Sequence, residues 1–154
     1  MESVTLPVLN EDPRGWEVRV SVTLARVYTR LERRQGQALA AHGLSLPQFD
    51  VLATLWHGEG ITQQELAERL LVTKGNVVGL LNRVCAAGWV ERCPDPEDRR
   101  ANRLYLTEAG RELVCAAIPC QNADIRKVFG RLSEEDLKRM HQILEQLEAG
   151  LDAC

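Results

Sequence analysis

Asp98-Arg99-Arg100 sets a carboxylate and two guanidinium groups side by side within the stretch 88–110, GWVERCPDPEDRRANRLYLTEAG. Pro94, Asp95, Pro96 and Asn102 around them are turn formers, so the charges fall at the tip of a loop. Guanidinium groups at a loop tip suit insertion into a narrow, strongly negative groove, and the minor groove of DNA has that character. Asp98, two residues before Arg100, is placed to hold its guanidinium by a charge-assisted bond. Upstream, Thr73-Lys74-Gly75-Asn76 forms a second polar cluster, and Thr62, Gln63 and Arg83 are further donors suited to phosphate or base edges.

The elements that must carry these groups are legible in the same stretch. Trp89, Val90 and Cys93 on one side, and Leu104, Tyr105 and Leu106 on the other, form short β-prone runs that predict a hairpin with the arginines at its end. Thr62-Gln63-Gln64-Glu65 has the capping-box form, and Leu66, Ala67 and Leu70 continue as an apolar stripe. Thr73 is a second N-cap, followed by Val77, Leu80, Leu81 and Val84 at helical spacing up to Gly88, a left-handed C-cap candidate. Two helices joined by about three residues and followed by a hairpin make a winged helix-turn-helix, whose second helix enters the major groove. Gly75 and Gly79 would let that helix sit deep in it.

LTEAG after DPEDRR, preceded by a helix ending in GWVER, resembles the MarR family of bacterial transcription regulators. The D-x-R element falls on Asp98 and Arg100, and the L-T-x-x-G element on Leu106, Thr107 and Gly110. The motif match runs from about Leu44 to Gly110, and by layout nearly the whole chain follows the family. The resemblance implies a mainly α fold with a small β-hairpin wing. All of it lies in one domain over 1–154, with a winged helix-turn-helix lobe at about 45–107 and dimerisation helices at about 16–42 and 108–151. It further implies a repressor that binds double-stranded DNA at a pseudo-palindromic operator as a homodimer. The family often carries a hydroxyl residue where Val78 stands, so base readout differs there.

The flanking helices agree. Val20, Leu24, Val27, Tyr28, Leu31 and Leu39 recur every three or four residues from about Trp16 to Ala41, and Gly43 closes that helix. Ser45 caps the next, with Pro47 in its first turn and Phe49, Leu52, Leu55 and Trp56 expected to face inward. A helical pattern then runs from Thr107 to about Gly130, in which Pro119 predicts a kink or break. Ser133 opens the last helix, with Leu137, Met140, Leu144, Leu147 and Leu151 in a near-heptad rhythm. These stripes exceed what one small core can use, which predicts a two-fold dimer. Its recognition helices, about 34 Å apart, would read successive major grooves.

At 154 residues the chain has the size of one domain, and no apolar run is long enough to span a membrane. The start, MESVTLPVLNEDPRGW, lacks the order of a secretory signal, so the expected compartment is the cytoplasm, at the nucleoid when bound to DNA. The net charge of −3 is unevenly spread. Residues 62–107 hold seven basic and six acidic residues, net +1, while the remainder holds twelve and sixteen, net −4. Binding would therefore rest on a few well-placed arginines and be strongly salt-sensitive.

The resemblance also implies an effector, typically a small aromatic or phenolic molecule, held between the dimer helices and the DNA lobe. Trp16, Arg26, Arg30, His42, Asp50 and Trp56 are candidates to line its pocket, and Trp16 with Asp50 is somewhat like urate-responsive relatives. Two alternatives stay open: a thiol-based redox sensor of the same fold, and a winged-helix protein-interaction module without DNA binding. The five cysteines (Cys85, Cys93, Cys115, Cys120, Cys154) contain no C-x-x-C pair, and free thiols are the default in a reducing compartment. His42, His57 and His141 show no metal-ligand spacing, no cofactor is expected, and no nucleophile elbow, phosphate loop or H-E-x-x-H points to an enzyme.

Overall fold

The computed structural model describes residues 15–98 and 100–152, apart from the side chains of Lys74 and Asp152. Arg99, Cys154 and the segment preceding Gly15 lie outside the described residues. The order is α1 (Trp16–Ala40), α2 (Leu46–His57), β1 (Ile61–Thr62), α3 (Gln63–Arg69), α4 (Lys74–Ala86), β2 (Val90–Pro94), β3 (Asn102–Leu106), α5 (Glu108–Phe129) and α6 (Glu134–Asp152). The fold is mainly helical with one small antiparallel sheet of order β1-β3-β2. No described helix is long and apolar enough to cross a membrane.

Capping fixes the helix starts where the sequence signals put them. Ser45 and Gln48 form a capping box at α2, Thr62 and Glu65 another at α3, and Thr73 accepts the Asn76 amide at α4. Such a cap stabilises a helix end by about 1 kcal/mol. At the end of α4, Trp89 N–H donates to Val84 and Gly88 N–H to Cys85, with Gly88 at φ +76°. That is a Schellman motif closed by the residue type that suits it. The end of α3 repeats the pattern, with Val72 N–H on Ala67 and Leu71 N–H on Glu68. There a leucine, Leu71, takes the left-handed position at φ +53° with 88% of its surface exposed.

The core is centred on the DNA lobe and takes in Leu39 of α1 and Val114 and Ala117 of α5. Leu39, Leu52, Leu55, Leu66, Leu81 and Leu104 are fully buried together, joined by Val51, Val77, Val84 and Val114. Apart from Leu39, the apolar residues of α1 are not part of it, nor are those of α6. Val20, Leu24, Val27 and Tyr28 on α1, and Ile143, Leu144, Leu147 and Leu151 on α6, are all exposed. Val20, Leu24 and Val27 of α1 and Met140, Ile143 and Leu144 of α6 line a groove of about 640 Å³ between the two helices.

Two expectations need correction. Trp56 does not face inward with Leu52 and Leu55. The buried stripe of α2 runs through Val51, Leu52 and Leu55, which leaves Trp56 at its margin, 39% exposed. The break that Pro119 would allow does not occur, since α5 runs from Glu108 to Phe129 with the proline inside it. Pro119 and Cys115 are both exposed, so the carbonyl that loses its helical partner opens toward water, which can serve it. The hairpin of the wing is present as β2 and β3, and Ile61 and Thr62 join it as a third strand opposite Leu104 and Arg103. Two residues are too few for a periodicity signal.

Candidate nucleic-acid interface

The wing is built around a buried carboxylate. Asp95, only 6% exposed, accepts the backbone N–H of Glu97 at 2.9 Å and that of Asp98 at 3.4 Å, and pairs with Arg103 Nε at 2.8 Å. These bonds, the Glu97 amide foremost and the Arg103 charge behind it, hold the Asp95 carboxyl below the usual range despite burial. Arg103 also donates to the Gly60 carbonyl at 2.7 Å, which ties the wing to the loop before β1. Both ends of Arg103 are thus spent inside the protein. At the tip, Asp98 Oδ1 accepts the Arg100 backbone N–H at 2.9 Å. The expected bond from Asp98 to the Arg100 guanidinium is not found, because a turn of this tightness brings the amide, not the long side chain, within reach of the carboxylate. Arg100 is exposed on the wing.

Below the wing runs a groove of about 510 Å³ against the recognition helix α4 and the start of α3. It is lined by Gln63, Gln64, Val78, Arg92, Asp98 and Arg100 among others. Sequence reasoning missed two of the residues around it. Arg92 on β2 donates from Nη2 to Asn82 Oδ1 on α4 at 2.9 Å, which fixes a guanidinium beside the recognition helix. Arg92 belongs to a strand that read only as hairpin scaffold, and Asn82 lies in mid-helix, so neither stood out from its neighbours.

The other candidates take these positions. Thr62 lines the groove, but its N–H and hydroxyl both point at Glu65 Oε2, at 2.6 and 2.9 Å. These bonds, the backbone one first, lower the Glu65 carboxyl. Thr73 caps α4 through its bond from the Asn76 N–H at 3.3 Å, and Gly75, Asn76 and Arg83 are at its surface. The backbone of Lys74 opens α4.

The L-T-x-x-G motif joins this lobe to α5. Thr107 accepts the Gly110 N–H at 3.1 Å and donates to the Gly88 carbonyl at 2.6 Å, while its own N–H reaches the Trp89 carbonyl at 3.0 Å. A methyl group on Gly110 would overlap the Trp89 carbonyl oxygen, so only glycine allows this approach. Arg111 then grips both oxygens of Glu59 at 2.8 and 3.1 Å, and Glu59 Oε1 also accepts the Leu106 N–H at 2.8 Å. On the far side, Arg34 of α1 holds Asp124 of α5 through two bonds of 2.9 and 2.7 Å.

The candidate effector residues are spread along α1 and α2. Trp16, 71% exposed with the Arg19 guanidinium 4.2 Å over its ring, lies in the α1–α6 groove. Asp50 stands near Glu32 at the other end of α1; burial, and then the Glu32 charge, push its carboxyl up to about 6. Tyr28 donates to Glu32 at 2.9 Å, which raises the phenol in turn. Glu32 lies about 24 Å along the helix from Trp16, so one protomer does not bring Trp16 and Asp50 together. Arg26 and His42 are half-buried, whereas Arg30 and Trp56 are exposed. As for the thiols, Cys85 is partly buried within α4 and burial raises it, which disfavours the reactive thiolate. Cys120 donates to the Ala38 carbonyl at 3.7 Å, and Cys115 is exposed.

Comparison with known proteins places this arrangement. Residues 42–101 match the MarR family. The transcriptional regulator HosA of Escherichia coli O111:H- is 32% identical over 104 residues, covering 68% of this chain and 77% of HosA. The regulator TtmR of Methylorubrum extorquens (strain PA1) is 32% identical over 112 residues, 73% of this chain; the chain spans only 57% of the length of TtmR. A mutant MarR from E. coli, solved in complex with operator DNA, superposes with a TM-score of 0.81 at 22% identity, covering 92% of this chain and 99% of that one. CouR from Rhodococcus jostii RHA1, solved with p-coumaroyl-CoA bound, gives a TM-score of 0.77 at 25% identity over 92% of this chain and 95% of CouR. The chain belongs to the MarR family of winged helix-turn-helix, DNA-binding transcriptional regulators.

Proposed function

We propose that two copies of this chain bind a pseudo-palindromic operator in double-stranded DNA and repress a neighbouring gene by occluding its promoter in the cytoplasm. The observation that carries this reading is the groove between wing and recognition helix, with Arg100 exposed on the wing and Arg92 fixed beside α4. Arg100 would enter the minor groove and α4 the major groove, its first turn of Thr73, Lys74, Gly75 and Asn76 toward base edges. Gln63, Arg83 and Arg99 would add phosphate contacts, with Thr62 and Asp98 shaping the backbone around them. The exposed apolar faces of α1 and α6 supply the surface for pairing two copies.

A small aromatic or phenolic effector would release the DNA by binding the incompetent spacing of the dimer more tightly than the competent one. Binding of p-coumaroyl-CoA by the relative CouR supports an effector of that class. Trp16, Arg26, Arg30, His42, Asp50 and Trp56 are the residues to test for its pocket. Trp16 of one protomer would need the partner to approach Asp50.

Hydroxyl-radical footprinting on a duplex recovered from a random-sequence library tests the reading, alongside sedimentation velocity of the free protein. A protected pattern with two-fold symmetry and half-sites one helical turn apart is expected, with a dimer at micromolar concentration. A stable monomer, or a single unsymmetric footprint, would overturn it.

A further inference from the structure

Resting on the DNA-reading function above, we propose that Val78 recognises one thymine in each half-site through the C5-methyl group of that base. Helix α4 turns Val77, Leu80, Leu81 and Val84 into the core, all of them 7% exposed or less. Val78, one residue on, is rotated out of that face and is 40% exposed, the one large apolar side chain exposed on α4 among the described residues. It opens into the groove beneath the wing, which Gln63, Gln64, Arg92 and Arg100 line together with Ala101 and Leu104. An apolar side chain left uncovered in a groove that faces the ligand gains from an apolar partner that the ligand brings in.

The neighbouring positions let it reach one. Gly75 and Gly79 bracket Val78 along the helix, and a methyl at Gly75 would meet nothing within 4 Å. The fold itself therefore makes no demand for glycine at 75, although glycine inside a helix is destabilising. With no side chain there, Val78 is the high point of that flank as the backbone approaches the base pairs. Valine can neither donate nor accept a hydrogen bond. In the major groove it is blind to the donor and acceptor code and sensitive to the methyl that only thymine, of the four bases, displays. Hydrogen-bonding readout is left to the first turn of α4, Asn76 among it.

The test uses an operator duplex selected by the wild-type protein from a random-sequence library. Each thymine of one half-site is then replaced singly by deoxyuridine, which removes the methyl and leaves the base pairing intact. Wild type is expected to lose roughly four-fold in affinity at one thymine, the scale of one buried methyl contact. Val78→Ala should bind the thymine and deoxyuridine duplexes equally, and Val78→Thr, which keeps one γ-methyl, should preserve most of the difference. Val78 is exposed, so both variants should melt as wild type does. Indifference of the wild type to every replacement would overturn the proposal, as would a thymine dependence that survives in Val78→Ala. Recovery of no duplex by the selection would overturn the DNA-reading function and this inference together.

Discussion

The carboxylate of Asp95 receives Arg103 at 2.8 Å from within the wing, and the same guanidinium reaches back to the Gly60 carbonyl at 2.7 Å. One ion pair thus sets the angle at which Arg100 is presented. Asp95→Asn should lower DNA affinity although Asp95 itself is buried away from any ligand, and helix content should stay unchanged. Because its folded carboxyl lies below the ordinary value, its contribution is complete above about pH 4 and is lost as pH falls through the folded value. The gap in melting temperature between wild type and Asp95→Asn should therefore close on acidification. A gap independent of pH would contradict this role.

Leu71 occupies a left-handed position that glycine fills without strain, and its side chain is almost fully exposed. Leu71→Gly should stabilise the protein by about 1 kcal/mol. Urea unfolding measures this, and a destabilised variant would mean that the leucine makes contacts outside one protomer.

Gly110 is the opposite case. A side chain there meets the Trp89 carbonyl, a backbone atom that cannot rotate away. Gly110→Ala should destabilise by roughly 1–3 kcal/mol and should loosen the wing, read as faster amide exchange at Trp89 and Thr107. A variant as stable as wild type would refute the packing argument.

Asp50 carries the one strongly raised carboxyl of the described residues, near 6, from burial and from Glu32. Its sign is opposite to that of Asp95: the neutral form suits the fold, so wild type loses stability as pH rises from about 4 to about 6. Asp50→Asn should match wild type at pH 4 and exceed it at pH 7.5. The group is partly exposed, and screening limits the gain to about 1 kcal/mol. Equal thermal stability at both pH values would show that the environment of Asp50 is more aqueous than its position implies.

The features legible in the sequence were those with short-range causes. Ser45, Thr62, Thr73 and Gly88 act on backbone groups within a few residues, so spacing alone identifies them. Asp95, Arg92 and Glu59 act across the sheet or between elements, and their partners Arg103, Asn82 and Arg111 lie 8, 10 and 52 residues away. No local pattern announces such pairs. The same limit explains Asp98, where spacing pointed to the Arg100 side chain and the turn delivered its amide. Trp56 shows that a helical stripe has margins, and that an aromatic residue at the margin keeps one face out.

DNA binding by this fold should depend first on the wing arginine, Arg100. Fluorescence polarisation with a selected operator duplex, wild type beside Arg100→Ala over a salt series, tests it directly. Wild type should bind in the nanomolar range with an affinity that falls steeply with salt, and the variant should lose about 1–3 kcal/mol. Equal affinity and equal salt slope for the two proteins would contradict the account.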